Sequence, residues 1–406
     1  MGHFVRAAFV AVGSELLRTP RLDTNSLRVG EKLAGRGVVL VEKRCVPDEV
    51  AAIARAVEEL LARADLVLLS GGLGPTADDV TREGVAQALG RKLTLDEGIL
   101  GQLEDRYRRL GRTMPSIARR MAYVLEGADV LANPRGTAPG LWLSLGSQAV
   151  VLLPGVPEEL DTILTLHVLP RVTGRPFLVR TLRVAGRFES EVEQRVAPLY
   201  PRFGREKITI LASRGTVDLV LGAETPEELA QMDQAFSEVL QDDLFGRDEA
   251  TLAQVVLEAL KERRWLLATA ESCTGGLVGS LLTQVPGASE AYLGGVVCYA
   301  NSLKARLVGV PEDLLTTYGA VSRQVAEALA LGARRLGAQC GLAITGIAGP
   351  GGGSAEKPVG TVHMAVATPH HVEHRLYRFG GSRQTVRELA ANFALDLLRR
   401  TLKGAP

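Results

Sequence analysis

Three times along this 406-residue chain a short apolar run empties into a glycine-rich turn, a pattern that few folds accommodate. The run Asp65–Leu69 leads into Ser70-Gly71-Gly72-Leu73-Gly74-Pro75-Thr76-Ala77-Asp78-Asp79-Val80-Thr81. Trp265–Thr269 leads into Ala270-Glu271-Ser272-Cys273-Thr274-Gly275-Gly276 and then a helical repeat of Leu277, Val278, Leu281 and Leu282. Leu342–Ile344 feeds Thr345-Gly346-Ile347-Ala348-Gly349-Pro350-Gly351-Gly352-Gly353. Strands that enter helices through such turns predict parallel sheets with helices on their faces. Alternation from Arg6 onward says the same: Ala7–Val12, Asn25–Arg36, Val38–Arg44, Ala51–Ala62 and Asp65–Leu69 read as βαβαβ.

The length exceeds one ordinary core, so two or three domains are expected. Lys plus Arg number 47 against 46 Asp plus Glu, a net charge of +1 that supplies no general attraction to nucleic acid or membrane. Cys45, Cys273, Cys298 and Cys340 form no CxxC pair, which argues against a zinc knuckle or disulfide framework and fits a cytoplasmic location. Residues 1–12 lack the apolar core and cleavage site of a signal peptide and read as a first buried strand. No run approaches the roughly 20 apolar residues of a membrane span.

Open α/β sheets bind ligands beyond their strand ends, where Ser70–Thr81 lies. Its glycines, Gly71, Gly72 and Gly74, allow a phosphate close to the backbone, with Thr76 beside them. Asp78 and Asp79, read as part of the first helical turn, would repel that phosphate unless a cation lay between; acidic helix capping is the plainer reading of either alone. Asn133–Gly140 carries Arg135, which could meet a phosphate bidentately. The hairpin Leu141–Leu145 with Ala149–Leu153 delivers Pro154–Glu159 to a helix start with Pro157 in its first turn, and Glu158 and Asn25 complete the candidate phosphate site.

Residues 171–250 read as a small βαββα unit: strand Phe177–Val184, helix Glu189–Leu199, a hairpin about Arg214-Gly215, and helix Pro226–Leu240. It is KH-like in outline, but 11 Lys plus Arg against 14 Asp plus Glu, with no GxxG clamp, disfavours RNA and suggests a spacer or dimerisation domain.

The last domain carries the chemistry most readily derived from residues. A small nucleophile at the Ala270–Gly276 turn would meet the positive end of a helix dipole, with N–H groups of Gly275 or Gly276, or of the second glycine loop, available to an oxyanion. No histidine lies nearby in sequence. A desolvated lysine is the other base for a serine hydroxyl, and Lys304, just after Tyr299 and Asn301, is the candidate; an exposed lysine in a first helical turn is the competing reading. Cys273 competes with Ser272 as nucleophile. Arg383 and Arg387, at the start of the last helix, and the Thr345–Gly353 loop are candidate anchors for a phosphate. His370, His371 and His374 have metal-like spacing at a hairpin turn, without a carboxylate-rich neighbourhood.

GxELL at Gly13–Leu17, GGLGPTxDDxT at Gly71–Thr81, AESCTGG at Ala270–Gly276, YxN at Tyr299–Asn301, TGIAGPGGG at Thr345–Gly353 and KPVGTV at Lys357–Val362 together resemble the bacterial CinA family over nearly the whole chain. The resemblance implies three domains: a molybdopterin-binding-like α/β domain (1–170), a small KH-like α+β domain (171–248) and an α/β nicotinamide mononucleotide (NMN) deamidase domain (249–406), in a homodimer that recycles pyridine nucleotides. It implies Ser272 as nucleophile and Lys304 as base, with Tyr299, Thr345, Gly346 and Gly349 lining the site. For the first domain it implies ADP-ribose pyrophosphatase activity with a divalent metal (Mg2+ or Co2+) and K+, for which Asp78 and Asp79 are the candidate metal ligands read from the residues; the deamidase needs no cofactor. The alternative is a first domain that only binds a nucleotide or pterin, in a competence or DNA-damage accessory protein acting through partners.

Overall fold

The computed structural model describes residues 2–3, 6–174 and 177–404 and divides into two compact units, Met1–Leu178 and Val179–Pro406. In the first, six strands lie in the order Val39–Val46, Arg6–Val12, Leu66–Ser70, Gln148–Leu153, Gly140–Leu145, Ala128–Leu131. The first four are parallel, and the last two join by antiparallel pairing. Successive strand residues face opposite sides. Val67 and Leu69 therefore enter one core with Val10 and Ile53, while Leu66 and Leu68 enter another with Phe9, Leu33 and Ile163. A strand buried on both faces is apolar along its run, as Leu66-Val67-Leu68-Leu69 is, before the buried Ser70 ends it.

Four strands in the order Ile208–Ala212, Thr216–Ala223, Leu178–Ala185, Leu244–Arg247 pack against helices Glu189–Val196 and Pro226–Leu240 to form the middle domain. The βαββα reading lacks the last strand, whose Leu-Phe-Gly-Arg has no apolar alternation; it forms by antiparallel pairing with Leu178–Ala185. The C-terminal sheet runs Tyr292–Val297, Leu267–Glu271, Cys340–Gly346, Thr361–Ala367, Val372–Arg378, with the first three parallel and the rest antiparallel. Among the described residues no helix is long and apolar enough to cross a membrane, and all four cysteines are free.

The sequence spacing at His370, His371 and His374 does not produce a metal cluster: among the described residues no three His, Cys, Asp or Glu side chains converge to hold an ion. His371 lies beside Thr368, whereas His374 meets His363 on the neighbouring strand, ring nitrogens 3.0 Å apart. Burial, followed by the His374 charge, pushes His363 down to about 4.

Candidate active sites

The C-terminal candidate residues converge because three parallel strands end side by side. Ser272 follows Leu267–Glu271, Tyr299 and Asn301 follow Tyr292–Val297, and Thr345 and Gly346 end Cys340–Gly346. Ser272 is 7% exposed; its N–H is fixed on the Ile344 carbonyl at 3.0 Å, and its hydroxyl makes no hydrogen bond to protein. Lys304 is not an exposed lysine. At 1% exposure it is among the most buried side chains of the chain, and Nζ donates to the Cys298 and Tyr299 carbonyls, 2.9 Å each. Cys298 in turn donates its N–H to Glu271 O, beside the Ser272 turn. Burial pushes the lysine below its ordinary value. Ser272 is not a hydrogen-bond partner of Lys304. Cys273 is also sealed, 4% exposed, and desolvation pushes its thiol up to about 12, which removes the thiolate needed for attack at neutral pH.

The expectation for the oxyanion donors is corrected. Glu271, 2% exposed, turns its carboxylate onto the start of helix Leu277–Thr283 and accepts from Gly276 N, Val278 N and Gly279 N at 3.0, 3.1 and 2.9 Å. Gly275 N–H donates to Ser272 O at 3.1 Å. Neither glycine N–H is free. The N–H groups of Cys273 and Thr274, between them, are directed at the Cys273 sulfur, a weak acceptor. Glu271 was quoted in the motif without a role; a carboxylate at the end of a buried strand before two glycines is the signal that could have found it. Glu271→Gln would leave one acceptor oxygen for three N–H groups, and differential scanning calorimetry should show a loss of about 1–3 kcal/mol for a buried donor left unsatisfied.

The helix Arg383–Gly404 brings both arginines to this turn. Arg383 donates to Gly349 O and to the Tyr299 hydroxyl, 2.8 Å each, while Arg387 donates through NH2 to Thr274 O at 2.8 Å. A Cβ on Gly346 would come within 3.1 Å of the Cys273 sulfur, so the second glycine loop starts against the nucleophile turn. The Thr345 hydroxyl is committed to Ala320 O at 2.8 Å, and Asn301 is exposed at the helix start.

In the first unit the loops after four parallel strands enclose a cleft of about 580 Å³. A Cβ on Gly71, φ +104°, would sit 2.2 Å from Val12 O, and one on Gly72 would meet the Thr81 hydroxyl, so only glycine lets these loops close up. Gly71, Gly72, Gly74, Asn25, Asp78 and Asp79 all line the cleft. Thr76, Arg135 and Glu158 do not. Thr76 is turned to Asp79, donating its N–H at 2.8 Å; Arg135 is exposed, and its carbonyl meets Arg106. Helix geometry points Glu159 rather than its neighbour Glu158 inward, where it accepts from Asn133 Nδ2 at 2.6 Å. Asp78 and Asp79 precede helix Thr81–Leu89, so they are not in its first turn and do not cap it.

Sequence reasoning missed the character of this cleft. Glu15, Asp23, Asp48 and Glu159 join the two aspartates, against Arg21 as the one basic lining residue. Glu15 and Asp48 lie within three residues of a strand end, which is where they could have been sought. Asn25 donates to Ser70 Oγ and Gly155 O, 2.9 and 2.8 Å, and its buried Oδ1 has no donor. The lining is thus oxygen-rich, a donor set suited in kind to a hard cation.

Fold and sites define a three-domain α/β chain whose two candidate sites both lie at the carboxyl ends of parallel strands. Residues 8–174 match the family of the probable molybdopterin binding domain, 179–246 the KH domain of damage-inducible protein CinA, and 249–402 the CinA C-terminal domain. CinA-like proteins of Acidobacterium capsulatum and Solibacter usitatus are 43% and 42% identical, each over 98% of this chain and 99% and 98% of their own. The chain belongs to the CinA family. Among solved structures it is similar to CinA of unknown function from Thermoplasma acidophilum (35% identity, 39% of this chain and 94% of that one, TM-score 0.37). It is also similar to a competence/damage inducible protein from Agrobacterium tumefaciens (42% identity, 37% and 93%, TM-score 0.37).

Proposed function

We propose that the C-terminal domain hydrolyses the carboxamide of NMN to nicotinate mononucleotide and ammonia. The sealed Lys304 beside the Ser272 turn carries this reading. A neutral lysine amine has two N–H groups, and the Cys298 and Tyr299 carbonyls take both, which leaves its lone pair to accept a proton. Ser272 Oγ attacks the carboxamide carbon as Lys304 takes the hydroxyl proton; the same proton goes to the departing nitrogen, and ammonia leaves a nicotinoyl ester on Ser272. Water then attacks the ester, again giving its proton to Lys304, and the acid departs as the serine is restored. The N–H groups of Cys273 and Thr274, held only by the weakly accepting Cys273 sulfur, would turn to the oxyanion, and Arg383 and Arg387 are the cations available to the 5′-phosphate. Ammonia and nicotinate mononucleotide formed in equal amounts by the full chain test the reading; absence of both would reject it.

For the first domain the proposal is hydrolysis of the ADP-ribose pyrophosphate to AMP and ribose 5-phosphate. Six carboxylates cannot hold a pyrophosphate unaided. Asp78 and Asp79 would hold a divalent ion, Mg2+ or Co2+, which together with K+ would offset the phosphate charge. The glycine loop would bind the phosphate by its backbone, and Asn25 Oδ1 would accept from a cation or a sugar hydroxyl. Asp78→Asn is expected to lower metal-dependent AMP release about 10²-fold with unchanged thermal unfolding. ADP-ribose that binds tightly without turnover would instead support a binding module.

A further inference from the structure

The helix Arg383–Gly404 spans 22 residues, roughly 33 Å at 1.5 Å per residue, and only its first turns reach the C-terminal site. The rest packs its apolar side into the C-terminal core, with Leu389, Leu398 and Leu402 beside Leu257 and Leu342, while other side chains meet the middle domain. Arg214, at the tip of the hairpin between Ile208–Ala212 and Thr216–Ala223, donates from NH1 to Glu388 Oε2, and Asn392 Nδ2 donates to the Arg214 carbonyl at 2.7 Å. A Cβ on Gly215 would come 2.7 Å from the Asn392 Cβ, so the hairpin backbone lies directly on the helix. Farther along, Phe188 and Phe393 pack with ring centres 5.7 Å apart. Arg400 then bridges Asp396 and the buried Asp243, at 2.7 and 2.8 Å, where Arg187 also pairs with Asp243.

Glu388 follows Arg387 in sequence, next to the turn that carries Ser272. Gln384 and Arg214 hydrogen-bond its charged form, and Arg214 and Arg387 attract it, which holds the carboxyl below its ordinary range. An unneutralised carboxylate here would weaken the positive potential that Arg387 offers a phosphate.

We propose that Arg214 of the middle domain is a positioning residue for the C-terminal site: it engages Glu388 and seats the first turns of the last helix, so that Arg387 and Arg383 meet the 5′-phosphate of the nucleotide. The middle domain is then part of the substrate-binding apparatus rather than a spacer. This rests on the proposed amide hydrolysis and adds the phosphate-bearing end of its substrate.

Steady-state kinetics of the full chain with NMN and with nicotinamide riboside, which lacks the phosphate, test it. Arg214→Ala should raise KM for NMN roughly two- to fivefold, the scale of an exposed ion pair, with kcat unchanged, no shift for the riboside and a smaller effect in high salt. Arg214→Lys should recover part of the loss, and adding Glu388→Gln to Arg214→Ala should recover part of it by removing the carboxylate. Equal shifts for both substrates, a fall in kcat alone, or no shift would overturn the proposal. Calorimetric titration with NMN separates the two readings. If wild type binds NMN but releases no ammonia, hydrolysis fails while a two- to fivefold weaker Kd in Arg214→Ala still supports positioning; if wild type binds no NMN, both fail.

Discussion

Ser272→Ala is expected to abolish ammonia release from NMN, by about 10⁴- to 10⁶-fold, the scale seen when a serine nucleophile is removed from a catalytic set. The fold should be untouched, because the Ser272 hydroxyl makes no hydrogen bond to protein and the turn is held by its backbone: Ser272 N–H on Ile344 O and Gly275 N–H on Ser272 O. Thermal unfolding of the variant should therefore match wild type. Mass spectrometry of a quenched wild-type reaction should find the nicotinoyl ester on the peptide containing Ser272. Cys273→Ala is the control. Its thiol is sealed and pushed up to about 12 by burial, so the variant should keep most of the activity. Retained activity in Ser272→Ala with loss in Cys273→Ala would move the nucleophile by one residue.

Lys304→Met should lower kcat about 10²- to 10⁴-fold, the usual worth of general-base assistance. Methionine fills nearly the same volume without an ionisable group, so stability should not fall in proportion to activity. The pH profile carries a second signature. Since burial lowers Lys304 from its ordinary 10.5, the amine is freed at lower pH than in an exposed lysine, and kcat/KM should climb with pH along a limb whose midpoint lies below that value. The stability sign follows from the same shift. Between the folded and unfolded values the unfolded chain binds more protons, so stability rises with pH through that window and is lost as pH falls through the folded value. Both dependences should flatten in Lys304→Met. A rising limb unchanged in the variant would assign the titration to another group.

Much of the architecture was legible because it is written in local periodicity. Leu66-Val67-Leu68-Leu69, buried on both faces, is apolar along its length, and the glycines at 71 and 72 stand where a Cβ would strike Val12 O and the Thr81 hydroxyl. Leu244–Arg247 was not legible, since its pairing with Leu178–Ala185 depends on a partner about 60 residues away. Side-chain direction at a helix start was not legible either. Glu158 and Glu159 are equivalent in sequence, yet helical rotation turns only the second into the cleft.

Local order in the chain, then, places the Ser272 turn at a strand end beside a helix and makes Ser272 and Lys304 the residues to examine. Long-range packing settles what local order leaves open. It seats the Ser272 N–H on the Ile344 carbonyl, carries Arg387 to the Thr274 carbonyl, gathers carboxylates from four separate loops into one cleft, and sets the last helix against the hairpin of the middle domain. Periodicity reports which face a residue turns to its own element's surroundings. The identity of the atoms met there comes from segments tens to hundreds of residues away, and no window of sequence contains them.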